Sequence, residues 1–455
     1  MPRVERAPAV TPAINDRRET AGWVMYDWAN SGFQTTVITV LLGPYLTALA
    51  QQAVGENGTV LSLGPLGVVT AKSLFPYCVA LSVFLQVFLL PVLGAIADYT
   101  SLKKRLMALL CYVGASATCL MFFVPDRSYL AIGLLFVVAN LSYGASLVLY
   151  NAFLNDIATP DRRDAVSSLG YAFGYLGGGV LLALNLALVV NATALGLSRS
   201  LAVRISLLSA GLWWGGFAAV TFSRLRQRPA PRAAPVGRSP VAAALAQVAE
   251  TIRELRKLPQ TLRYLVAYML YNDGIQTVVS IASVFLAQEL FVARGLPTDE
   301  SFLIALVLMI QFIAFFGALL FERVARLLNA KNAILISLAL WSGVIVYSYA
   351  LLQTTTQAWV LGAVIAIVLG GSQALSRSLF SQMIPAGREA SFFGLYEISE
   401  RGTSWIGPLI FGIVAGATNS YRQAILSLIV LFVSGMLLLA MTDTDRAVQE
   451  AGSAP

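Results

Sequence analysis

The sequence predicts an all-α membrane protein whose twelve transmembrane helices form two pseudo-symmetric six-helix bundles. Three observations support this fold class: a highly apolar composition, twelve apolar stretches of membrane-spanning length, and a polar motif that occurs once in each half. Apolar residues make up 57% of the 455 residues and charged residues only 12%, whereas soluble domains carry about 25% charge. With a mean hydropathy of +0.73, this composition excludes a disordered chain, a coiled coil and a disulfide-rich secreted scaffold.

The twelve apolar stretches define the predicted spans, because a bilayer core about 30 Å thick requires roughly 20 apolar residues per helix. A polar tail (residues 1–22) precedes them and lacks the apolar stretch and cleavage site of a signal peptide. The spans are residues 23–50, 72–97, 105–124, 128–154, 166–191 and 203–223 in the first bundle (23–223), and 262–290, 301–322, 332–352, 358–384, 392–417 and 421–441 in the second bundle (262–441).

The positions of Lys and Arg predict the orientation. Most of them lie in the segments on the same side as the N-terminus, above all in the linker between the bundles, residues 224–261. Cytoplasmic loops are enriched in Lys and Arg, so both termini, including the tail 442–455, are predicted to be cytoplasmic. The net charge of +8 therefore reflects loop orientation, and no nucleic-acid partner is expected.

The linker contains a predicted amphipathic helix. Its first part is rich in Arg, Pro and Ala, which is typical of an extended segment. Apolar residues then recur at steps of three and four, opposite Glu250, Arg253 and Lys257. The apolar positions are Val241, Leu245, Val248, Ile252 and Leu255. This pattern predicts a helix on the inner membrane surface; the alternative is a solvated linker helix without a regulatory role.

An internal repeat relates the two halves. Residues 30–37 read NSGFQTTV and residues 272–279 read NDGIQTVV, so Asn, Gly, Gln, Thr and Val coincide without a gap. A weaker similarity links the fourth and tenth spans. Parallel repeats of six spans place a transporter's substrate site midway through the membrane, between the halves. The alternative explanation is convergent use of small and amide residues at helix contacts.

Polar residues within the spans are candidates for function, because placing them in hydrocarbon is costly. Asp27 is either a gate near the cytoplasmic side or a substrate ligand. The predicted substrate-binding residues are Asn30, Gln34, Tyr150, Tyr171, Tyr175, Tyr268, Asn272 and Gln276, and the residues predicted to serve coupling or gating are Asp27, Asp273, Arg377, Glu397, Glu400 and Arg401.

A buried ion pair is predicted between the tenth and eleventh spans. A hairpin that turns near Glu389 places Arg377 level with Glu400, and Glu397 one helical turn nearer the cytoplasm. Arg377 is therefore predicted to pair with Glu400 or Glu397 and to exchange partners during transport. The alternative is a permanent pair that only fixes helix packing.

The sequence lacks the residues that metal sites, disulfide frameworks, primary pumps and membrane enzymes require. The chain has no His, so any proton coupling must use carboxylates. Cys78, Cys111 and Cys119 lie in apolar stretches and form neither a disulfide framework nor a metal site. No phosphate-binding loop, H-E-x-x-H or G-x-S-x-G motif occurs in the sequence, which argues against a primary pump or a membrane enzyme. We expect no cofactor and no metal.

The loop after the second span carries a charged motif. Gly94, Asp98 and Lys103 resemble the conserved loop of the major facilitator superfamily, with Tyr99 and Ser101 where that motif has an arginine and a second glycine. An aspartate at a helix end can form a charge–dipole latch with the neighbouring bundle. The partner of this latch is not determined by the sequence.

Several segments resemble one branch of that superfamily, the vacuole-effluxer family of autophagy-related amino-acid transporters and its bacterial relatives. They are residues 26–31 (YDWANS), 150–154 (YNAFL), 170–179, 376–380 (SRSLF) and 393–396 (FGLY). The resemblance implies the major facilitator fold and export of small solutes, amino acids in the fungal members.

The loop lengths and composition indicate a bacterial plasma membrane. We expect a monomer that contacts membrane lipid, a small-molecule substrate and H⁺ or Na⁺. The main alternative is a cation-coupled sugar symporter of the melibiose type, which also has an aspartate early in its first helix.

Overall fold

The computed structural model describes residues 14–55, 58–62, 68–230, 250–297, 299–401 and 406–452. Within these residues, eleven helices are long and apolar enough to cross a membrane. They are α1 (Arg17–Val54), α2 (Leu74–Tyr99), α3 (Lys103–Phe123), α4 (Tyr129–Ile157), α5 (Arg163–Val190), α6 (Arg199–Arg224), α7 (Pro259–Leu290), α8 (Glu300–Leu328), α9 (Ala330–Ala350), α10 (Thr355–Gln382) and α13 (Tyr421–Ala440).

The remaining predicted crossing, residues 392–417, is described as two helical segments. They are α11 (Glu389–Arg401) and α12 (Ile406–Thr418), and residues 402–405 lie outside the described part of the chain. A last helix, α14 (Thr444–Gly452), follows α13. The twelve predicted crossings therefore correspond to α1–α10, the α11–α12 pair and α13. We call the face at which α1 begins the terminal face and the other the opposite face.

The helix α1 extends beyond its predicted span because a capping group, rather than hydropathy, sets its first residue. α1 begins at Arg17, where the Asp16 carboxylate accepts the backbone N–H of Arg18 at 2.8 Å. Hydropathy detects only the part of a helix that crosses the hydrocarbon. A capped helix continues past that region into water and headgroups.

The middle of α1 is a π-helix. Residues Phe33–Leu41 form nine residues of this wider helix, between two α-helical parts. The Thr39 hydroxyl donates to the carbonyl of Gln34 at 2.9 Å. π-Helical turns are rare and frequently occur at functional sites, and this one lies in the span that carries Asn30 and Gln34.

A small β-hairpin connects α1 and α2 at the opposite face. Its strands, β1 (Thr59–Ser62) and β2 (Val68–Thr70), pair antiparallel with Thr59 opposite Thr70. The sequence analysis does not predict these strands, which lie between two long apolar stretches.

Glycines allow the two halves to pack backbone to backbone. A methyl group added at Gly94 on α2 would lie 2.3 Å from the carbonyl oxygen of Ala390 on α11. One added at Gly394 on α11 would lie 3.1 Å from the carbonyl oxygen of Leu90. Small residues permit such close approach between membrane helices, so α2 and α11 form a tight contact between the halves.

The described part of the linker helix, residues 250–257, packs against the second half. Glu250 lies 3.1 Å from the guanidinium of Arg388, and Glu254 also pairs with it. Leu255 is buried, as its apolar position predicts, but Ile252 is exposed. The ion pairs with the buried Arg388, rather than the apolar positions alone, therefore orient this helix against the second half. Residues 241–249, with Val241, Leu245 and Val248, lie outside the described residues.

Candidate substrate site and gate

A buried ion pair links the two halves. The Arg377 guanidinium on α10 has Nη1 and Nη2 each 3.3 Å from Oδ2 of Asp27 on α1. Arg377 is 2% exposed and Asp27 8% exposed. The Ser167 hydroxyl and carbonyl on α5 also accept from Arg377, both at 2.9 Å. One cation from the second half is thus bound by side chains and backbone of α1 and α5 in the first.

Three aromatic rings surround the same guanidinium. Its Cζ lies 4.8 Å from the ring centroid of Trp23, 5.5 Å from Tyr150 and 4.3 Å from Tyr171. The faces of aromatic rings attract cations, and more strongly when water is excluded. The Tyr150 hydroxyl donates to Asp27 Oδ2 at 2.7 Å. The rings therefore stabilise both partners of the ion pair.

The prediction that Arg377 pairs with Glu400 or Glu397 is wrong, since its carboxylate partner is Asp27. The physical reason is the position of the hairpin turn. α10 ends at Gln382 and α11 begins at Glu389, so the turn lies before Glu389 rather than at it. Glu400 is consequently farther from the terminal face than Arg377 is.

The two glutamates of α11 lie near the pair without contacting Arg377 directly. Asn151 on α4 bridges, because its Oδ1 accepts from Arg377 Nη1 at 3.3 Å and its Nδ2 donates to Glu397 Oε1 at 2.7 Å. Glu400 Oε2 accepts from the Tyr268 hydroxyl at 3.1 Å. The side chain of Arg401 lies outside the described residues. Asn151 belongs to the segment YNAFL, residues 150–154, but it was not predicted as a site residue.

The four amide side chains of the internal repeat differ in burial. Asn30 and Asn272 are buried, and Asn272 Nδ2 donates to the Glu400 carbonyl at 3.3 Å. Gln34 is exposed although it lies within the first span, and its Oε1 accepts from the Tyr143 hydroxyl. Gln276 is half-buried. Asn30 Nδ2 and Asn272 Oδ1 have no hydrogen-bond partner among the described residues, so both amides retain capacity for a ligand.

The predicted tyrosines lie on both sides of the interface. Tyr171 and Tyr175 are neighbours on α5, with ring centroids 6.2 Å apart, and the Tyr175 hydroxyl donates to Gln373 Oε1 on α10 at 3.0 Å. Tyr268 stacks on Tyr396 at 4.3 Å. Glu400 lies close enough to all four rings to interact electrostatically. Glu400 therefore lies within a cluster of tyrosines that includes Tyr171, one ring of the cage around Arg377.

Asp273 contacts the first described residues of α12. Its Oδ2 accepts the backbone N–H of Gly407 at 2.6 Å. Its Oδ1 has no hydrogen-bond partner among the described residues, although the side chain is buried. Asp273 therefore joins α7 to α12.

The loop motif forms a latch at the terminal face. The Asp98 carboxylate accepts the N–H groups of Ala390 and Ser391 at 3.1 and 3.0 Å and the Ser391 hydroxyl at 2.5 Å. It thereby caps the N-terminus of α11 in the other half. Lys103 instead binds Asp156 of its own half at 2.9 Å. The latch thus uses Asp98 and Gly94, whereas Lys103 braces α3 against α4.

Further hydrogen bonds between the halves lie in the same terminal half of the membrane. Asn155 and Arg163 donate to the Ser381 carbonyl at 3.0 and 2.8 Å. The Ser378 hydroxyl donates to Asp164 at 2.5 Å. These residues were not predicted as site residues. The one sequence signal that could have identified them is their position at helix ends near loops. Together with the latch, they seal the terminal face.

No group of three or more His, Cys, Asp and Glu suited to a metal ion occurs within the described ranges. The site therefore consists of an aromatic-caged ion pair, a tyrosine-lined carboxylate and two amides that each have one unpartnered atom among the described residues, between halves that hydrogen bonds join at one face. A polar cluster between two helical halves, with a gate on one side, is the arrangement of a major facilitator transporter.

Comparison with known proteins agrees with this class. Residues 15–452 match the family model described as vacuole effluxer Atg22 like. The chain belongs to this family of transporters, not to a family of enzymes.

Two curated relatives match nearly the whole chain. The uncharacterized MFS-type transporter YxiO of Bacillus subtilis is 28% identical over 440 residues, covering 95% of this chain and 97% of that protein. Autophagy-related protein 22-1 of Aspergillus niger is 26% identical, covering 96% of this chain and 90% of that protein.

Solved structures share the fold. The human organic anion transporter MFSD10 gives a TM-score of 0.67 at 16% identity, covering 93% of this chain and 99% of that one. The transporter FucP in the outward conformation gives 0.66 at 10% identity, covering 94% and 98%.

Proposed function

We propose that this protein is a secondary active transporter that exports a small zwitterionic solute, such as an amino acid, by alternating access. One observation carries the proposal. The Asp27–Arg377 pair joins the two halves inside a buried polar cluster, and both Arg377 and Glu400 lie close to Tyr171. Opposite charges thus lie near one aromatic ring at the interface that has to open during transport.

This arrangement suits a solute with two opposite charges. The guanidinium of Arg377 offers paired N–H donors that match a carboxylate. The carboxylate of Glu400, with the hydroxyl of Tyr268 at 3.1 Å, offers acceptors for an ammonium group. A neutral sugar has neither charge, so buried ion-pairing groups would gain nothing from binding it. An incoming carboxylate competes with Asp27 for Arg377, which links binding to separation of the halves.

The proposed direction of transport rests on the family, and the gate defines the step that export would require. The terminal face is sealed by Asp98, Asn155 and Arg163. If that face is cytoplasmic, as the Lys and Arg bias predicts, the sealed state is open to the outside or occluded. Export then requires the latch to release so that solute enters from the cytoplasm. The family name of vacuole effluxer supports the same direction.

Protons are the proposed coupling ion. The chain has no His, so a carboxylate has to carry the proton. Asp273 has one unpartnered oxygen among the described residues and accepts the backbone N–H of Gly407. Protonation would weaken this hydrogen bond, because a neutral acid is a weaker acceptor than a carboxylate. Glu400 is the second proposed carrier.

Counterflow in proteoliposomes tests the proposed substrate. Vesicles loaded with unlabelled amino acids are diluted into labelled amino acid, and parallel vesicles use glycosides, each with and without a pH or Na⁺ gradient. We expect counterflow of amino acids, and accumulation driven by a pH gradient. Arg377→Gln vesicles provide the background. Counterflow of glycosides with Na⁺ dependence and none of amino acids would contradict the proposal and favour the sugar symporter.

A further inference from the structure

A cavity of about 710 Å³ lies at the terminal face, between the first turn of α1 and the last turn of α6. Its walls include four arginines: Arg17 and Arg18 on α1, Arg224 on α6, and Arg226 just beyond α6. This cavity is separate from the site of the Asp27–Arg377 pair, and no part of the proposed transport cycle uses it. We call it the arginine cavity.

The arginine cavity has an excess of positive charge. Its one acidic residue, Asp16, pairs with Arg226. The backbone N–H of Arg18, with the nearby guanidinium groups, lowers the pKa of Asp16 below its usual value, so Asp16 stays ionised at neutral pH. The guanidinium groups of Arg17, Arg18 and Arg224 have no carboxylate partner among the described residues.

The nearest other carboxylate does not neutralise these three arginines. Glu19 is buried and binds Arg228 at 2.9 Å and the backbone N–H of Arg226 at 2.9 Å. The N-terminus of α1 adds a partial positive charge to the same place. Cations held this close repel one another unless an anion lies between them. A phosphate group, which accepts paired N–H donors from arginine, meets this requirement.

The position of the cavity selects a lipid as the source of the phosphate. The walls are the ends of two membrane-spanning helices, at the level of the lipid headgroups. Deeper along the same α1–α6 seam lie three half-buried rings, Trp28, Trp213 and Phe217. Trp28 stacks on Trp213 at 5.5 Å, and Trp213 lies 4.6 Å from Phe217. An acyl chain attached to a headgroup in the cavity would lie along these rings.

We propose that the arginine cavity binds the phosphodiester headgroup of an anionic phospholipid, with an acyl chain along the strip formed by Trp28, Trp213 and Phe217. The lipid neutralises Arg17, Arg18 and Arg224 and fastens the start of α1 to the end of α6. Because α1 also carries Asp27, the lipid stabilises the helix on which the interface ion pair depends. Basic pockets at helix ends are a recurrent mode of lipid recognition.

The test uses the full-length chain purified in neutral detergent. Thermal unfolding is followed with phosphatidylglycerol, with phosphatidylcholine at the same mole fraction, with inorganic phosphate and with soluble glycerophosphoglycerol. We expect phosphatidylglycerol to raise the midpoint by several degrees more than phosphatidylcholine does, while the two soluble anions leave the midpoint unchanged at millimolar concentration. An equal shift with inorganic phosphate would overturn the lipid assignment in favour of a soluble-anion site.

Two double variants test whether the lipid binds in the arginine cavity. Arg17→Ala/Arg18→Ala removes two exposed side chains from the cavity. Arg127→Ala/Arg199→Ala removes the same charge from exposed positions at the opposite face. Native mass spectrometry should show about fivefold less retained phosphatidylglycerol for the first variant and no change for the second. Equal retention by both variants would overturn the proposal. If the double variant folds poorly, Arg18→Ala alone provides the same comparison with Arg199→Ala.

Discussion

The two halves share a framework but differ in the charges that they place at the interface. At the terminal face, Lys104 at the start of α3 donates to the carbonyl of Leu225 after α6, at 2.6 Å. In the second half, Lys331 at the start of α9 donates to the carbonyls of Ala440 and Thr442 after α13, at 2.9 and 2.7 Å. The same contact thus occupies equivalent places in the repeat.

The opposite face repeats a second contact. Arg204 near the start of α6 donates to the carbonyl of Phe122 at the end of α3. Arg422 at the start of α13 donates to the carbonyls of Tyr349 and Leu352 at the end of α9. A cation at a helix C-terminus satisfies free carbonyls and favours the helix dipole. Both halves are therefore braced in the same way at each end.

The ionisable groups at the interface are not repeated. The first half contributes Asp27, Asp98, Arg163 and Asp164, whereas the second contributes Arg377, Glu397 and Glu400. This difference teaches that the duplicated contacts belong to the shared scaffold, while the unequal charges are the groups that we propose for transport.

The largest expected effect comes from Arg377→Gln. It leaves Asp27 buried without its partner, and breaking a buried pair costs about 3–5 kcal/mol. We expect counterflow to fall to background and the unfolding midpoint to drop. Adding Asp27→Asn should restore much of the midpoint but not transport. Unchanged transport in Arg377→Gln would show that the pair only fixes helix packing.

The carboxylates of the second half are expected to affect coupling more than exchange. Asp273→Asn and Glu400→Gln should each reduce uptake driven by a pH gradient, because the proposed proton carriers are lost. Counterflow needs no net proton movement and should persist. Asp445→Asn, in α14, serves as the control. Intact gradient-driven transport in both variants would rule out these carriers.

Releasing the latch should open the terminal face. Asp98→Ala removes three hydrogen bonds to α11, and charge-assisted bonds contribute about 1.5–3 kcal/mol each. In a background with Cys78, Cys111 and Cys119 replaced by Ser, we expect Ser381→Cys to react with maleimide about tenfold faster once Asp98 is removed. Asp156→Asn, which breaks a pair within one half, should leave the rate unchanged. Equal rates for the two variants would argue against a latch.

The smallest effects should come from the repeated framework. Arg204→Ala and Arg422→Ala each remove hydrogen bonds from a cation to helix-terminal carbonyls. We expect each to lower stability by about 1.5–3 kcal/mol, with Arg422→Ala the larger because the pair of Arg422 with Glu289, at 2.7 Å, is closer than that of Arg204 with Asp126, at 3.9 Å. Thermal unfolding of the single and double variants should show additive losses, since the sites are distant, and counterflow should remain. Loss of counterflow would place these arginines in the transport machinery.

The sequence predicts the membrane helices and their repeat well because both depend on local composition. Apolar length locates the twelve crossings, and the equivalent places of Asn30 and Asn272 reveal the duplication. The ion-pair partner of Arg377 could not be predicted from local composition, because Asp27 lies 350 residues away along the chain. The predicted partners came from a hairpin turn placed at Glu389, and an error of a few residues there changes which glutamate is level with Arg377.

The latch and its neighbours show the same limit. Asp98 is marked by its motif, but the N–H groups that it accepts belong to Ala390 and Ser391, whose side chains give no charge signal. Ser167 and Asn151 bind Arg377 through short polar side chains that are ordinary in a helix. Such partners are defined by how the halves dock, which depends on packing over the whole interface.

The π-helical part of α1, Phe33–Leu41, contains more residues per turn than an ordinary helix does. Deleting one residue there would favour an ordinary helix, which makes nearly the same rotation with fewer residues. The side chains before and after the deletion would therefore keep nearly the same faces. Tyr45, whose hydroxyl donates to Asp126 at 2.9 Å, would then keep that partner while Asp27 stays with Arg377. The extra width therefore lets a single helix carry an additional residue between two fixed attachments at different depths.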